Sequence, residues 1–318
     1  MAKVFISDKI PVVAANQLKQ AGLKVTAYDG DGLITEDELI AQVKDADFLI
    51  STLSTSVSKA VIEAAPKLKL IANFGAGFNN IDVATATAHK IPVTNTPAVS
   101  TNSVAEVTMG LMLAASHRIV EGDQLMRTKG FDGWQPLFFL GHELRDKTLG
   151  IVGLGNIGQA VAKLATAFGM HVQYTQRHQL PEDQEQALQV EFADFDQLVA
   201  TSDFISLHIP LTPASQHLFN ATTFKQMKAN AWLINAARGP IVDEAALVTA
   251  LQKGDIAGAA LDVYEHEPAV EPALKTMQNV ILTPHIGNAT VEARDQMAEI
   301  VAGNVIKVLN GEKILVVN

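Results

Sequence analysis

The chain contains no cysteine. That excludes a disulfide framework, a thiolate metal site and a cysteine nucleophile. It leaves the compartment open, with a reducing one compatible. No stretch of about 18 consecutive apolar residues occurs, so no membrane span is expected. The opening residues, Met-Ala-Lys-Val-Phe-Ile-Ser-Asp, lack the apolar segment of a signal peptide, and the cytoplasm is the expected location. Basic residues are in deficit: 24 Lys and Arg face 34 Asp and Glu, a net charge of −10. A nucleic-acid surface needs clustered Lys and Arg, so nucleic acid is excluded as the main partner. An anionic small molecule is not, since it needs only a local cation. Internal repeats and low-complexity tracts are also missing.

What is present is a rhythm of strands and helices over 318 residues, enough for two domains of about 150 each. Over residues 1–99 the runs Val4–Ile6, Val25–Tyr28, Phe48–Ile50, Leu70–Asn73 and Pro92–Thr94 read as strands. Helical spacing fills Val12–Ala21, Thr35–Lys44 and Lys59–Ala65, and Thr35 with Glu38 has capping-box spacing. Such alternation predicts a parallel sheet covered on both faces. Residues 100–119 predict a helix apolar on most sides, buried between layers or domains. Residues 120–146 are less regular. Within them Phe131–Leu140 concentrates aromatic side chains, which predicts packing on a partner subunit, a substrate cleft or both.

The stretch from Leu149 carries the most specific local signal. An apolar run to Val152 is followed by Gly153, Gly155 and Gly158 in the spacing G-x-G-x-x-G, then helical spacing to Phe168 and a second strand at His171–Tyr174. The first glycine permits a tight turn, the second a close approach of backbone to a pyrophosphate, the third close packing of helix on strand. The amides that open the helix are suited to an anion. A dinucleotide site is expected here. Further strands at Phe204–Leu207, Trp232–Asn235, Gly258–Asp262 and Val280–Leu282 make six in all, and helices are read at Phe195–Thr201, Thr222–Lys228, Glu244–Lys253 and Val291–Leu309.

Three polar sites follow strands, where open α/β sheets bind ligands. Arg238 follows Trp232–Asn235. Its fork suits a carboxylate, and a structural ion pair is the competing reading. Glu265 and Glu267 follow Gly258–Asp262, and the expectation for Glu265 is a solvated loop. His285 follows the last strand between Pro284 and Gly287. Histidine, carboxylate and arginine beside a dinucleotide suggest redox chemistry on a carbonyl: proton donor, orienter and anion anchor.

The chain resembles the D-isomer-specific 2-hydroxyacid dehydrogenases over essentially its full length. The resemblance rests on Gly75-Ala-Gly-Phe-Asn-Asn-Ile-Asp82, Gly141-His-Glu-Leu through Gly158, and His208-Ile-Pro-Leu-Thr-Pro213. It continues through Ile234-Asn-Ala-Ala-Arg-Gly-Pro-Ile-Val-Asp243, Gly258-Ala-Ala-Leu-Asp-Val-Tyr-Glu-His-Glu-Pro268 and Thr283-Pro-His-Ile-Gly287. It implies two Rossmann-like, doubly wound parallel-sheet domains with a cleft between them. Residues 1–99 with 287–318 would be a flavodoxin-like substrate domain, and 100–286 the dinucleotide-binding domain. Arg238 would bind the 2-oxo acid carboxylate, and Glu267 would hydrogen-bond the proton donor His285. Leu53 and the backbone of Ala76 and Gly77 would join Arg238 and His285 at the substrate. The dinucleotide would meet Gly153, Gly155, Asn156, Ile157 and Gly158, then Thr175, Gln176 and Arg177. At later strand ends it would meet His208, Ile209, Pro210, Asn235, Ala236, Asp262 and Gly287. No metal is implied. A homodimer through the dinucleotide-binding domain is, which would occupy the 131–140 loop.

Two departures sharpen this. NAD sites place Asp or Glu about 20 residues past the glycines for the ribose 2′-OH. Here Tyr174-Thr-Gln-Arg-His178 has no acid, and Arg177 with His178 suits a 2′-phosphate. NADP(H) is therefore favoured and NAD(H) possible, as in the glyoxylate and hydroxypyruvate reductases of the family. Phosphoglycerate-handling members carry an Arg in the loop matching Thr52-Leu53-Ser54, and this chain has none. No regulatory domain is expected after the last helix, and the substrate is expected to be a small or apolar 2-oxo acid. Formate-oxidising relatives pair Gln with the histidine, against Glu267 here. A dinucleotide-sensing corepressor of the same family is the alternative to an enzyme.

Overall fold

Short strand runs separated by single helices close into parallel sheets, because each parallel neighbour needs a crossover connection. The computed structural model describes residues 1–318 and divides into two units, Met1–Ser100 with Ala289–Asn318, and Thr101–Asn288.

In the first unit β1 (Lys3–Ile6), β2 (Lys24–Ala27), β3 (Phe48–Thr52), β4 (Leu70–Phe74) and β5 (Val93–Thr94) alternate with α1 (Val12–Gln20), α2 (Glu36–Val43), α3 (Lys59–Glu63) and α4 (Val83–Ala88). All pairs are parallel, in the flavodoxin-like order β2-β1-β3-β4-β5. Alternate strand residues feed the two faces. Val4, Ile6, Leu70 and Ala72 pack with Leu18 and with Met297, Val301 and Val305 of the closing helix Val291–Leu309. Phe5, Leu49 and Ile71 pack with Leu39, Val61 and Ile62. Each fully buried aliphatic side chain is worth roughly 1.5–3 kcal/mol, so these two layers hold the unit together. The Thr35–Glu38 capping box forms in both directions. No helical spacing in the sequence marks α4. Its Val-Ala-Thr-Ala-Thr-Ala run has weak helix propensity, and the cap from Asp82 to the Thr85 N–H at 2.9 Å starts it.

The second unit contains α5 (Thr101–Ser116), α6 (Ile119–Thr128), β6 (Thr148–Val152), α7 (Asn156–Ala167), β7 (His171–Thr175), α8 (Glu182–Leu188) and β8 (Val190–Phe192). It continues with α9 (Phe195–Thr201), β9 (Phe204–Leu207), α10 (Ala221–Gln226), β10 (Trp232–Asn235), α11 (Glu244–Lys253), β11 (Gly258–Leu261) and β12 (Val280–Leu282). Its parallel sheet runs β12-β11-β10-β9-β6-β7-β8, the dinucleotide-fold order with one strand added. The strands number seven rather than the expected six. The strand without a sequence signal is β8, a three-residue edge strand too short to show a period, while the strand added beyond the six-strand order is β12. The expected burial of α5 occurs within this unit: Met109 and Met112 join Leu149, Val161 and Tyr174 in one core cluster. The less regular stretch from residue 120 begins with a helix, α6, which buries none of its side chains.

Candidate active site

The strand register places the candidate residues. Thr175, Val152, Leu207, Asn235, Leu261 and Leu282 are paired neighbours in one row across the sheet. Every candidate in this unit leaves the sheet at or just past that row. The glycine turn, His208–Pro210, Asn235–Arg238, Asp262–Glu267 and Thr283–Gly287 therefore rise from one edge, at the carboxyl ends of parallel strands. The strand order reverses between β7 and β9 on either side of β6, which puts the glycine turn at the switch point where such sheets take ligands.

The turn fits a dinucleotide on three counts. Gly153 has φ +95°, and a Cβ there would meet the His208 carbonyl at 2.7 Å. A Cβ on Gly158 would collide with the Gly153 carbonyl, whereas Gly155 faces open space. Thus the outer glycines are forced by sterics of the chain itself, and the middle one leaves room for a ligand. Gly155 is the N-cap of α7 and supplies no side chain, so the Asn156 and Ile157 end of the helix keeps its amides for an anion. Gln176 folds back over the turn: its Oε1 accepts from the Leu154 N–H at 3.3 Å and its Nε2 donates to the His178 carbonyl at 2.7 Å. Arg177 and His178 are exposed beside it. The buried Tyr174 hydroxyl accepts from the Leu180 N–H and donates to Glu185, both at 2.7 Å, which ties down the end of that loop. Burial, then the bond to Glu185, pushes its phenol up to about 12. His208 bonds Ser206 Oγ at 2.8 Å through Nε2, and burial pushes its imidazole down to about 4, so it is neutral.

Arg238 sits in a turn clamped by Asn235. Asn235 Nδ2 donates to the Arg238 carbonyl, and the Ala237 N–H donates to Asn235 Oδ1, both at 3.0 Å; Ala236 lies inside this loop. The guanidinium donates from Nη1 to the Ala237 carbonyl at 2.6 Å. Burial pulls its pKa down against the opposing charge of Glu267. Glu267 and His285 meet at 2.9 Å, Oε2 to Nδ1. The other oxygen of Glu267 accepts the Tyr264 N–H at 3.0 Å. Burial pushes the Glu267 carboxyl up, but the His285 bond and charge, the Tyr264 N–H and Arg238 bring it below the usual carboxylate range. With Nδ1 bound, Nε2 of His285 is the nitrogen left for a substrate.

Asp262 builds the histidine turn. Its Oδ1 accepts from Thr283 Oγ1 at 2.6 Å and the Ile286 N–H at 2.8 Å, and its Oδ2 from the Gly287 N–H at 2.7 Å. His285 is thereby held at φ +53°, a left-handed conformation that a non-glycine residue keeps only when its surroundings impose it.

In the first unit, Leu53 packs over Gly75, where a Cβ would stand 2.7 Å from its side chain. The Ala76 carbonyl accepts from Asn95 Nδ2 at 2.7 Å and the Gly77 carbonyl from Asn73 Nδ2 at 2.6 Å, which fixes the loop after β4.

Sequence reasoning missed one cluster. Glu265 is not a solvated carboxylate: its side chain is 15% exposed and lies 2.6 Å from His217 Nε2. The pattern of the chain offers no sign of that partner, 48 residues away.

A family model, the D-isomer specific 2-hydroxyacid dehydrogenase NAD binding domain, matches residues 109–287. The chain belongs to that family. A relative from Staphylococcus epidermidis, provisionally named a 2-hydroxyacid dehydrogenase, is 54% identical over 98% of both chains. The glyoxylate reductase of Paecilomyes thermophila superposes with a TM-score of 0.86 at 30% identity, covering 99% of this chain and 98% of that one. The NADPH-dependent glyoxylate/hydroxypyruvate reductase of Sinorhizobium meliloti, solved with NADP and malonate, gives a TM-score of 0.83 at 31% identity, covering 99% and 96%. This dehydrogenase is thus an oxidoreductase with an NAD-binding domain. Its fold matches that of the family, two parallel-sheet α/β units. No helix in it is long and apolar enough to cross a membrane.

Proposed function

We propose that the protein reduces glyoxylate, hydroxypyruvate or a similar small 2-oxo acid to the D-2-hydroxy acid, with NADPH favoured over NADH. The observation that carries this reading is the Glu267–His285 pair at 2.9 Å, on the sheet edge that also bears the half-buried Arg238 and the glycine turn. Arg238 grips the carboxylate with its fork and polarises the neighbouring carbonyl. His285, oriented through Nδ1 by Glu267, delivers a proton from Nε2 to the carbonyl oxygen. A bound nicotinamide dinucleotide supplies the hydride. In the reverse direction, neutral His285 takes the proton from the hydroxyl. In the first unit, which we assign to the substrate, the amides of Ala76 and Gly77 are the proposed carboxylate donors and Leu53 an apolar contact. The second unit is assigned to the dinucleotide, with Asn156, Ile157, Thr175, His208, Ile209, Pro210, Asn235, Ala236, Asp262 and Gly287 as contacts beside the glycines. An assay of NADPH and NADH oxidation across glyoxylate, hydroxypyruvate, pyruvate and phenylpyruvate tests the reading. No turnover with any of them sinks it.

The dinucleotide preference rests on the residues after β7. No carboxylate is there for a ribose 2′-OH, while Arg177 and His178 are exposed and Thr175 offers a hydroxyl. A charge-assisted bond to a 2′-phosphate is worth about 1.5–3 kcal/mol, or roughly 10- to 100-fold. Arg177→Ala is therefore expected to lower kcat/KM for NADPH by that factor and leave NADH within about twofold. Equal losses with both dinucleotides would remove the 2′-phosphate role.

A second copy of the chain is the proposed occupant of the apolar face on α6 and the 131–140 loop. Ile119, Met126, Trp134 and Leu137 are more than half exposed there, and Phe131 stacks on Phe138 at 6.2 Å. Sedimentation of the wild type should give a dimer, and Trp134→Glu with Leu137→Glu a monomer. A monomeric wild type at micromolar concentration would defeat the assignment.

A further inference from the structure

The loops that carry Arg238 and Glu267 are tied together by residues that belong to neither the glycine turn nor the reacting set. The segment 217–219 runs beside the turn after Arg238: the His217 N–H donates to the Pro240 carbonyl at 2.9 Å and the Phe219 N–H to the Ile241 carbonyl at 3.1 Å. His217 adopts φ +49°, and Asn220 Nδ2 holds its carbonyl at 3.0 Å. From that strained position its Nε2 meets Glu265 Oε1 at 2.6 Å. The other oxygen of Glu265 accepts the Glu244 N–H, at the start of α11, at 3.2 Å. The Glu265 N–H donates in return to Glu244 Oε1 at 2.8 Å. Glu265 is thus fixed at three points on two other elements. Its own backbone lies against Gly239, where any Cβ would strike the Tyr264 carbonyl. The Tyr264 N–H, one residue earlier, is the group that orients Glu267.

We propose that His217 and Glu265 are a positioning pair for the reaction: they hold the backbone at Tyr264 so that Arg238 and Glu267 keep their places relative to His285. His217 reaches the arginine turn through its backbone and the glutamate loop through its ring, so one residue bridges both. Burial pushes the Glu244 carboxyl up, and the bond from the Glu265 N–H opposes that shift. Catalytic groups tolerate little displacement, since about 1 Å of misplacement can cost 10²-fold in rate.

The pair rests on the reading of Arg238, Glu267 and His285 as the reacting groups, and the experiment separates the two. The purified protein with saturating dinucleotide is assayed with the best 2-oxo acid, in wild type, His217→Asn, Glu265→Ala, Glu265→Gln, His217→Asn/Glu265→Ala and, as the reference for the pH midpoint, Glu267→Gln. Asparagine tolerates the left-handed backbone at 217 but is too short to reach Glu265. The two single variants, His217→Asn and Glu265→Ala, are expected to lose about 10- to 100-fold in kcat with the dinucleotide KM unchanged. The pH midpoint of their reduction should move in the direction that Glu267→Gln moves it. Glu265→Gln should recover most of the rate, because its amide still accepts from the Glu244 N–H and still reaches His217. The double variant should be no slower than the worse single one. Wild-type kcat and pH midpoint in His217→Asn and Glu265→Ala overturn the proposal, as do independent, multiplying losses in the double variant. If Glu265→Ala does not fold, His217→Asn and Glu265→Gln decide by the same criteria. Absence of turnover in wild type would overturn the reading of the site, and the pair with it; turnover in wild type with unchanged variants overturns the pair alone.

Discussion

His285→Asn is expected to leave the protein folded and to lower kcat for 2-oxo acid reduction by about 10³-fold, within the range that a positioned proton donor contributes. Asparagine is the appropriate substitution because His285 stands at φ +53°, where alanine would add backbone strain of about 1–2 kcal/mol. The KM for the dinucleotide should change little, since the glycine turn is untouched. Loss of less than about fivefold in kcat would remove His285 from the chemistry. The same pair makes a prediction about acid. The folded-state pKa of Glu267 is depressed: burial raises it, but the bond and charge of His285, with the Tyr264 N–H and Arg238, outweigh burial. A depressed carboxylate contributes stability that is present above its unfolded value, about 4.3, and is lost as pH falls through the lower folded value. Wild type should therefore keep the pair at neutral pH and lose its contribution only below about pH 4. Glu267→Gln should flatten that part of the acid-unfolding curve. An unchanged acid limb in Glu267→Gln would mean that the carboxylate is not held by His285.

How far the sequence alone reaches is visible at single residues. The glycines at 153, 155 and 158 were readable because their spacing encodes local sterics, and those sterics are present: two positions where a Cβ collides and one that is open. Arg238 and His285 are readable because each follows a strand, and parallel register carries strand ends to one edge, whereas the choice of Glu267 over Glu265 rests on the family resemblance. β8 was missed because three residues cannot show a period. α6 is not legible as a helix because its apolar residues, Ile119, Val120, Leu125 and Met126, fall in two adjacent pairs rather than in a continuous i, i+3, i+4 stripe. Asp262 was read as a cofactor contact, and the structure adds that both its oxygens hold the histidine turn, 21 to 25 residues onward. The place of Glu265 is not legible in the sequence, because exposure is the usual fate of a carboxylate and only long-range folding supplies His217 and Glu244 as partners. Local rules reached what local geometry decides, and the missing residues are those whose partners lie far along the chain.

Arg238→Ala is expected to lower kcat/KM for the 2-oxo acid by about 10⁴-fold, because it removes both the fork that holds the carboxylate and the charge that polarises the carbonyl. Arg238→Lys restores the charge but not the two parallel bonds, and should remain about 10²-fold impaired. The folded protein should respond in the opposite sense. Burial pulls the guanidinium pKa down, and the charge of Glu267 opposes that shift without reversing it. Its one hydrogen bond within the chain goes to the neighbouring Ala237 carbonyl. A cation held this way disfavours the folded state at every pH at which it is charged, and arginine is charged throughout the accessible range. Removing one charge is costly when it strands its partner, but Glu267 keeps His285 and the Tyr264 N–H, so the loss of this cation leaves no unpaired carboxylate behind. Arg238→Met should therefore melt at or above the wild-type Tm while being inactive. With oxidised dinucleotide saturating both proteins, adding a 2-oxo acid should raise the Tm of wild type further and not that of the variant, because only wild type has a cation for the carboxylate to pair with. A variant that melts several degrees below wild type would mean that Arg238 is a structural residue. An equal ligand-induced rise in both proteins would mean that the carboxylate is bound elsewhere.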